Sequence, residues 1–419
     1  MATDLRVDGD AMREDFDALA AIGATPDGGV DRPSLGEADL AARAWFLRRA
    51  AALGLGTRVD PAGNHSAVLQ GPAPTLLLGS HLDSVPRGGR YDGALGVVAA
   101  LHALLAVRRS GAVPPVALEA VDFTDEEGTL VGLLGSEALA GTLDPASLEA
   151  PRGGRDALIA GLERAGLSED GLTAARREPD TLAGYVELHI EQGPVLERAG
   201  AQIGVVTAIV GARSFSLVFR GEGGHAGTTP METRRDSGLA AAAFSLAVEE
   251  LVTGRFPGCV ATVGDVRLEP GAYNVIPHSA RVALEFRSPE LRTLDELERT
   301  LLARARDEAG RRRLELDVSP VGGWAPTALD PEVGETIERT AERLGLTSLR
   351  LPSGAGHDAQ ALAAVTPAGM IFVPSAGGVS HDPRELTPWD DCVNGANVLL
   401  GAALELARRS SRSRPRRHA

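Results

Sequence analysis

The stretch Leu78-Gly-Ser-His-Leu-Asp-Ser-Val-Pro-Arg-Gly-Gly-Arg-Tyr-Asp-Gly-Ala-Leu-Gly-Val97 decides how this chain is read. The apolar run Thr75-Leu-Leu-Leu78 leading into it predicts a buried strand, and Ala94 to Val107 behind it carries small and branched apolar residues at helical spacing. His81 is then expected at the carboxyl end of a strand, and Asp92 at the mouth of the following helix. Open α/β sheets gather ligand sites along that edge. A second apolar run, Val116 to Phe123, ends in Thr124-Asp-Glu-Glu-Gly128, where two adjacent carboxylates repel each other unless positive charge sits nearby. A third gives Tyr185-Val-Glu-Leu-His-Ile-Glu-Gln-Gly193, and Gly377-Gly-Val-Ser-His381 follows the apolar run Gly369 to Val373. Three histidines and two carboxylates thus fall at or just beyond predicted strand ends. That is the inventory of a two-metal hydrolytic centre, in which one carboxylate bridges ions about 3.5–4 Å apart.

The 419 residues exceed one comfortable core, so two domains are expected. A net charge of −15 argues against nucleic-acid partners, which need basic surfaces. Every basic residue other than histidine is Arg, so Schiff-base lysine chemistry is excluded. Cys259 and Cys392 are far apart in sequence and form no metal or redox pattern, as suits a reduced cytoplasm. The amino-terminal residues are acidic without an apolar signal core, and no apolar run reaches the roughly 18 residues of a membrane span. A cytoplasmic location without membrane attachment is expected. The Ser/Arg-rich residues 411–419 are expected to be a disordered tail.

Along the chain, helices are predicted over Asp10–Ile22 and Glu37–Leu53, with a Gly/Pro-rich loop, Gly23–Ser34, between them and a strand near Ala67–Leu69. Arg152–Asp180 reads as a charged excursion with a helix over Arg155–Ala165. From Ser214 the pattern is strand Ser214–Arg220, helix Arg234–Leu251, strands Cys259–Leu268 and Ala280–Arg287, helix Thr293–Ala309 and strand Leu314–Val321. This is the β-α-β-β-α-β order of a ferredoxin-like unit, inserted into the metal-binding α/β domain. Helix Asp330–Leu344 brings the chain back, and helix Asn394–Ala407 is expected to close the main sheet. The expected division is 1–211 with 325–410 for the catalytic domain and 212–324 for the insert.

At these residues the chain resembles the carbamoylase and ureidohydrolase branch of the dinuclear-zinc aminoacylase/carboxypeptidase superfamily. That branch includes N-carbamoyl-L-amino acid hydrolases, allantoate amidohydrolase and β-ureidopropionase. The resemblance runs from Asp60-Pro-Ala-Gly-Asn64 to the helix near Arg408. It rests on Gly79-Ser-His81-Leu-Asp83-Ser, Asp92-Gly, Glu126-Glu127-Gly, His189-Ile-Glu-Gln192-Gly, Gly224-His225-Ala-Gly-Thr, Asn274-Val-Ile-Pro, Gly354-Ala-Gly-His357-Asp358-Ala and Ser380-His381. Peptidases of the superfamily usually carry an acidic residue where His189 stands, so histidine there points to the carbamoylase branch.

The resemblance implies that His81, Asp92 and His189 hold one divalent ion, and Asp92, Glu127 and His381 a second, with Asp92 as the bridge. Nitrogen and oxygen donors without thiolate suit zinc first, and also manganese, cobalt or nickel. Glu126, beside a ligand, is the expected general base. Asp83 is expected to accept the second ring proton of His81, with a turn or cap role as the alternative. His225 and Asn274 are implied as oxyanion donors on the insert. Arg287 suits bidentate pairing with a substrate carboxylate, Gln192 a bond to the ureido or carboxylate group, and Gly356 a backbone amide contact. His357 is left outside the ligand set, and Glu385 either buttresses the His381 loop or lies exposed. Two departures stand out: Leu130-Val131 replaces the branch's common Arg-Phe pair, which is expected to reshape the pocket wall, and Glu285 replaces an aspartate before Arg287. The implied activity is hydrolysis of a ureido or carbamoyl C–N bond in a small carboxylated substrate by a homodimer whose insert acts as lid and dimer contact. N-carbamoyl-L-amino acids come first, then allantoate or β-ureidopropionate. An aminoacylase or dipeptidase would use the same metals, and the complete ligand set with Glu126 weighs against an inactive scaffold.

Overall fold

The computed structural model of this protein describes residues 5–413. The apolar runs become the centre of one sheet, ordered Gly56–Val59, His65–Leu69, Ala117–Phe123, Thr75–His81, Leu182–Ile190, Ala368–Val373, Ile203–Ile209. Thr75–His81 is parallel to both neighbours, and Leu182–Ile190 is parallel to Ala368–Val373. The outer strands join antiparallel. Parallel strands covered on both faces are rich in apolar residues, which is how these four were legible although Glu119, Asp122 and Glu187 interrupt two of them. Their register pairs His81 with Phe123 and Phe372 with His189, so all four chains leave the sheet along one carboxyl edge.

Helix Ala94–Arg109 packs directly on this sheet. A Cβ at Gly96 would stand 2.3 Å from the Leu188 carbonyl oxygen, so glycine is what lets the helix come this close. Leu95, Val98 and Leu101 of this helix share one core with Leu76, Leu78, Val186 and Leu188 of the sheet and Val398, Leu399 and Ala402 of helix Trp389–Ser413. That last helix runs through Ser411–Ser413, which corrects the expected disorder at those positions because helix hydrogen bonding continues past the apolar stripe. Residues 414–419 lie outside the described residues.

Strand Gly56–Val59 has no counterpart in the sequence reading. Its four residues are all exposed and carry no alternation, so only pairing with His65–Leu69 defines it. Leu130 and Val131 are also placed differently from expectation. Both are buried in a satellite cluster with Leu35, Ala62, Leu158, Leu162 and Leu172, and so form core rather than pocket wall. The excursion helices Arg155–Ala165 and Glu169–Ala174 supply the other side of that cluster.

One compact unit comprises residues 1–207, 329–351 and 355–419, and the other residues 208–328 with 352–354. The second carries an antiparallel sheet ordered Glu315–Trp324, Gly211–Arg220, Ser279–Ser288, Val260–Glu269. In chain order this is 4-1-3-2, with helices Ser237–Arg255 and Leu291–Arg311 as the two crossovers. Phe219, Phe244, Phe286, Leu297 and Leu301 fill the space between helices and sheet. No helix among the described residues is long and apolar enough to cross a membrane.

Candidate metal centre

Four segments meet at the carboxyl edge of the parallel strands. His81 is the last residue of Thr75–His81, and His189 is the next-to-last of Leu182–Ile190. Both rings are buried. The Nδ1 of His81 lies 3.0 Å from the Asp83 carbonyl oxygen, and the Nδ1 of His189 lies 2.8 Å from that of Ile190. A carbonyl can only accept, so each Nδ1 carries the proton and each Nε2 presents a lone pair to the site. Asp92 stands between them: its Oδ1 is 3.0 Å from His189 Nε2 and 3.6 Å from His81 Nε2.

The other oxygen of Asp92 faces a second group. Its Oδ2 lies 3.4 Å from His381 Nε2, which is itself 3.5 Å from Glu127 Oε2. The donor atoms of His81, Asp92 and His189 all fall within 4.8 Å of one another, as do those of Asp92, Glu127 and His381. One carboxylate thus shares its two oxygens between two donor triads, the arrangement a bridging ligand requires. The donors fit a pair of borderline divalent cations, being imidazole nitrogens and carboxylate oxygens without thiolate. Charge supports the same fit. The carboxylates of Asp83, Asp92, Glu126, Glu127, Glu187 and Asp358 all have at most 9 % of the side chain or residue exposed. Burial and neighbouring acids raise the Glu126 and Glu127 carboxyls, whereas at Asp92 burial is outweighed by His189, His381 and His81 and the group stays well below the ordinary range. Buried acids in this excess call for added positive charge. Glu127 Oε1 is buried without a hydrogen-bond partner, which leaves it available to a cation.

A third group, Glu187, His189 and His357, is equally close. Its donors are already committed, because Glu187 accepts from Ser80 Oγ at 2.7 Å and from the Ala359 amide at 3.0 Å. His357 stacks edge-on to His189 at 4.5 Å and packs against Phe372, so it supports the ligand ring from behind.

The loop after Ala117–Phe123 sets the two glutamates. Asp125 has φ +56°, and its carboxylate accepts from the amides of Leu130, Val131 and Gly132. Asp83 takes the amides of Glu126 at 3.3 Å and Glu127 at 3.2 Å. This corrects the expected role of Asp83: its carboxylate is 3.6 Å from His81 Nδ1, and its backbone carbonyl holds the ring instead. With both amides tied to one carboxylate, the side chains separate. Glu126 Oε2 reaches 3.6 Å from His81 Nε2, and Glu127 Oε2 turns to His381.

Glu385 is buried and accepts from the amides of Tyr91 at 2.8 Å and Asp92 at 3.1 Å, so it fixes the bridging residue's backbone. Ser380 Oγ lies 2.9 Å from Glu385 Oε2 and 3.2 Å from Asp92 Oδ2, a role the sequence reading did not assign although the serine adjoins His381. Gln192 has φ +58° and donates through Nε2 to Asp92 Oδ2 at 2.7 Å, while its Oε1 is buried and unpartnered. Gly356 is exposed just ahead of His357. On the inserted unit, His225 sits beside Asn274: Val275 pairs with His225, and the Ala226 amide donates to the Asn274 carbonyl at 3.0 Å. Arg287 donates through Nε and Nη2 to Glu285 and through Nη1 to the Gly354 carbonyl at 2.8 Å.

Residues 77–405 match the model of peptidase family M20/M25/M40. The chain belongs to that family. Members are metal-dependent hydrolases of C–N bonds, and the two donor triads lie inside the matched region. An N-carbamoyl-L-amino acid amidohydrolase of Geobacillus stearothermophilus is 39 % identical over 409 residues, covering 96 % of this chain and 99 % of that protein. An allantoate amidohydrolase of Bacillus subtilis is 33 % identical, covering 93 % and 95 %. A hydantoinase/carbamoylase family amidase of Burkholderia ambifaria superposes with a TM-score of 0.89 at 34 % identity, covering 96 % and 99 %.

Gly93 offers a direct test of the family's metal geometry in this chain. It has φ +62°, and a Cβ there would lie 2.4 Å from His81 Cε1 and 2.5 Å from each ring nitrogen. Gly93→Ala is expected to push the His81 imidazole aside and weaken metal binding by about 10–100-fold. Metal content after equilibrium dialysis at graded free zinc measures this, and an unchanged affinity would contradict it.

Proposed function

We propose that the protein hydrolyses the carbamoyl C–N bond of an N-carbamoyl-L-amino acid, consuming one water and releasing the amino acid, ammonia and carbon dioxide. The observation that carries this reading is the Asp92-bridged donor set, with His189 as a member, in a chain aligned almost end to end with a relative of that activity. Bound at His81, Asp92 and His189 and at Asp92, Glu127 and His381, two divalent ions, zinc or else manganese, cobalt or nickel, would acidify the attacking water and polarise the carbonyl. Glu126 takes the proton from the water and delivers it to the leaving nitrogen. Asp83 acts by holding the Glu126 and Glu127 amides. Gln192, anchored through Nε2, turns its unpartnered Oε1 to a ureido N–H. Arg287 binds the substrate carboxylate, with Glu285 fixing the plane of its guanidinium. His225 and Asn274 donate to the developing oxyanion, and the Gly356 amide adds a contact to the substrate. The same reading makes the protein a cytoplasmic homodimer joined through the inserted unit.

A second reading, allantoate as substrate, is favoured by the Bacillus subtilis relative. The test is hydrolysis of N-carbamoyl-L-amino acids, allantoate, N-acetyl amino acids and dipeptides by chelator-treated protein reloaded with each metal. Ammonia and free-amine release are the readouts. Carbamoyl substrates are expected to lead. Silence on every ureido compound, or preference for acetyl or peptide substrates, would overturn the proposal.

A further inference from the structure

On the inserted unit, the turn that follows His225 folds back on the ring it carries. His225 ends the two-residue strand Gly224–His225, and the amides of Thr228 and Thr229 both donate to its carbonyl, at 3.2 and 3.1 Å. Within that turn the Gly227 amide donates to Nδ1 of the His225 ring at 3.1 Å. A backbone amide can only donate, so Nδ1 is the acceptor nitrogen and the ring proton sits on Nε2. The N–H that an oxyanion needs is therefore set by where one amide is held.

The turn has little packing of its own, because His225, Gly227, Thr228 and Pro230 are all exposed. Arg234, half-buried, closes it. Its Nε donates to the Thr229 carbonyl at 3.1 Å and its Nη2 to the Ala226 carbonyl at 2.6 Å, so one edge of the guanidinium grips both ends of the turn. Neither acceptor is a carboxylate, so what the cation fixes there is main-chain geometry. The grip starts from a firm base. Asp236 caps helix Ser237–Arg255 by accepting from the Leu239 amide at 3.1 Å, and Ser237 Oγ donates to the Pro277 carbonyl at 2.9 Å, just past the strand Val275–Ile276 that pairs with Gly224–His225. Lysine cannot span the two carbonyls in the same way, since its donors leave a single nitrogen whereas the guanidinium holds two in a fixed plane. We infer that Arg234 is a positioning residue for His225: by holding the Ala226–Thr229 turn it seats the Gly227 amide on Nδ1 and keeps Nε2–H as the donor. The inference rests on the oxyanion role proposed for His225 and adds a residue that acts only through that ring.

The test is a double-mutant cycle of Arg234→Met and His225→Ala in the metal-reloaded enzyme, on whichever substrate it hydrolyses fastest. His225→Ala should lower kcat by about 10²–10³-fold, the cost of one oxyanion donor. Arg234→Met should lower kcat by about 10–100-fold with KM nearly unchanged. Arg234→Lys should fall between it and the unaltered protein, and serves in its place where Arg234→Met does not fold. In the His225→Ala background Arg234→Met should add less than about twofold, because both changes remove the same contact. Losses that multiply, or full kcat in Arg234→Met, would overturn the inference. A second arm needs no turnover: ¹⁵N-histidine spectra of the chelator-treated protein at a pH where free imidazole is neutral, with the His225 signals assigned by their loss in His225→Ala. The unaltered protein should show Nδ1 bare and Nε2 protonated, and Arg234→Met should draw both signals toward the exchange average of a free imidazole. Unshifted signals would overturn the inference even with the carbamoyl activity established. Shifted signals without turnover of any ureido compound would uphold the grip on His225 while the proposed reaction falls.

Discussion

Glu126→Gln is expected to lower kcat on the preferred ureido substrate by about 10²–10⁴-fold, the range typical for losing a positioned general base, while metal content stays at the level of the unaltered protein. The expectation follows from where the side chain is held. Glu126 and Glu127 are neighbours, yet Asp83 collects both amides and the two carboxylates diverge, one toward His81 and one toward His381. Only Glu127 belongs to a donor triad. Glutamine keeps the size and the amide contact of Glu126 but cannot accept a proton from water. KM is expected to move little, because uniform binding is unaffected when the missing contact forms only in the transition state. Stopped-flow or endpoint ammonia assays with parallel metal analysis measure the effect. Full activity with full metal content would remove Glu126 from the role of base.

The sequence made the five donors legible because of a property of parallel sheets. Buried on both faces, their strands are rich in apolar residues, and a His, Asp or Glu at or just beyond the end of such a run marks the sheet edge where ligands collect. His81, His189 and the Glu126–Glu127 pair were each found at such a place. What escaped was work done by or upon the backbone. Asp83 was expected to reach an imidazole, but it collects two amides, and amides have no letter in a sequence. Glu385 likewise takes the amides of Tyr91 and Asp92 across a separation of 294 and 293 residues. Leu130-Val131 next to Gly132 reads the same whether it faces a pocket or the satellite core, and only the helices of the excursion decide for the core. The exposed strand Gly56–Val59 has no apolar face to betray it.

Arg43→Met is expected to cost about 3–5 kcal/mol of unfolding free energy, the scale for removing one partner of a buried ion pair, measured by urea denaturation. Arg43 is fully buried. Its guanidinium pairs with Asp39 at 3.0 Å and faces Asp122 at 3.8 Å, and it donates to the carbonyls of Gly63 at 2.9 Å and Phe123 at 2.8 Å and to Thr124 Oγ1 at 3.1 Å. It therefore braces the strand end from which the Glu126–Glu127 loop departs. Methionine fills much of the volume but leaves the acids without their cation. The loss should depend on pH in a stated direction. Burial pushes the Asp122 carboxyl up to about 7 even with Arg43 beside it, so the folded state binds a proton there that the unfolded chain, at the ordinary value of 3.8, releases. A raised carboxyl lowers stability as pH climbs from about 4 through 7. Without Arg43 that group rises further, so the variant should lose more against the unaltered protein at pH 8 than at pH 5. Asp122→Asn in the Arg43→Met background should recover part of the deficit at pH 8 and little at pH 5. A deficit independent of pH would mean that the carbonyl contacts at Gly63 and Phe123, rather than the charges, are what Arg43 contributes.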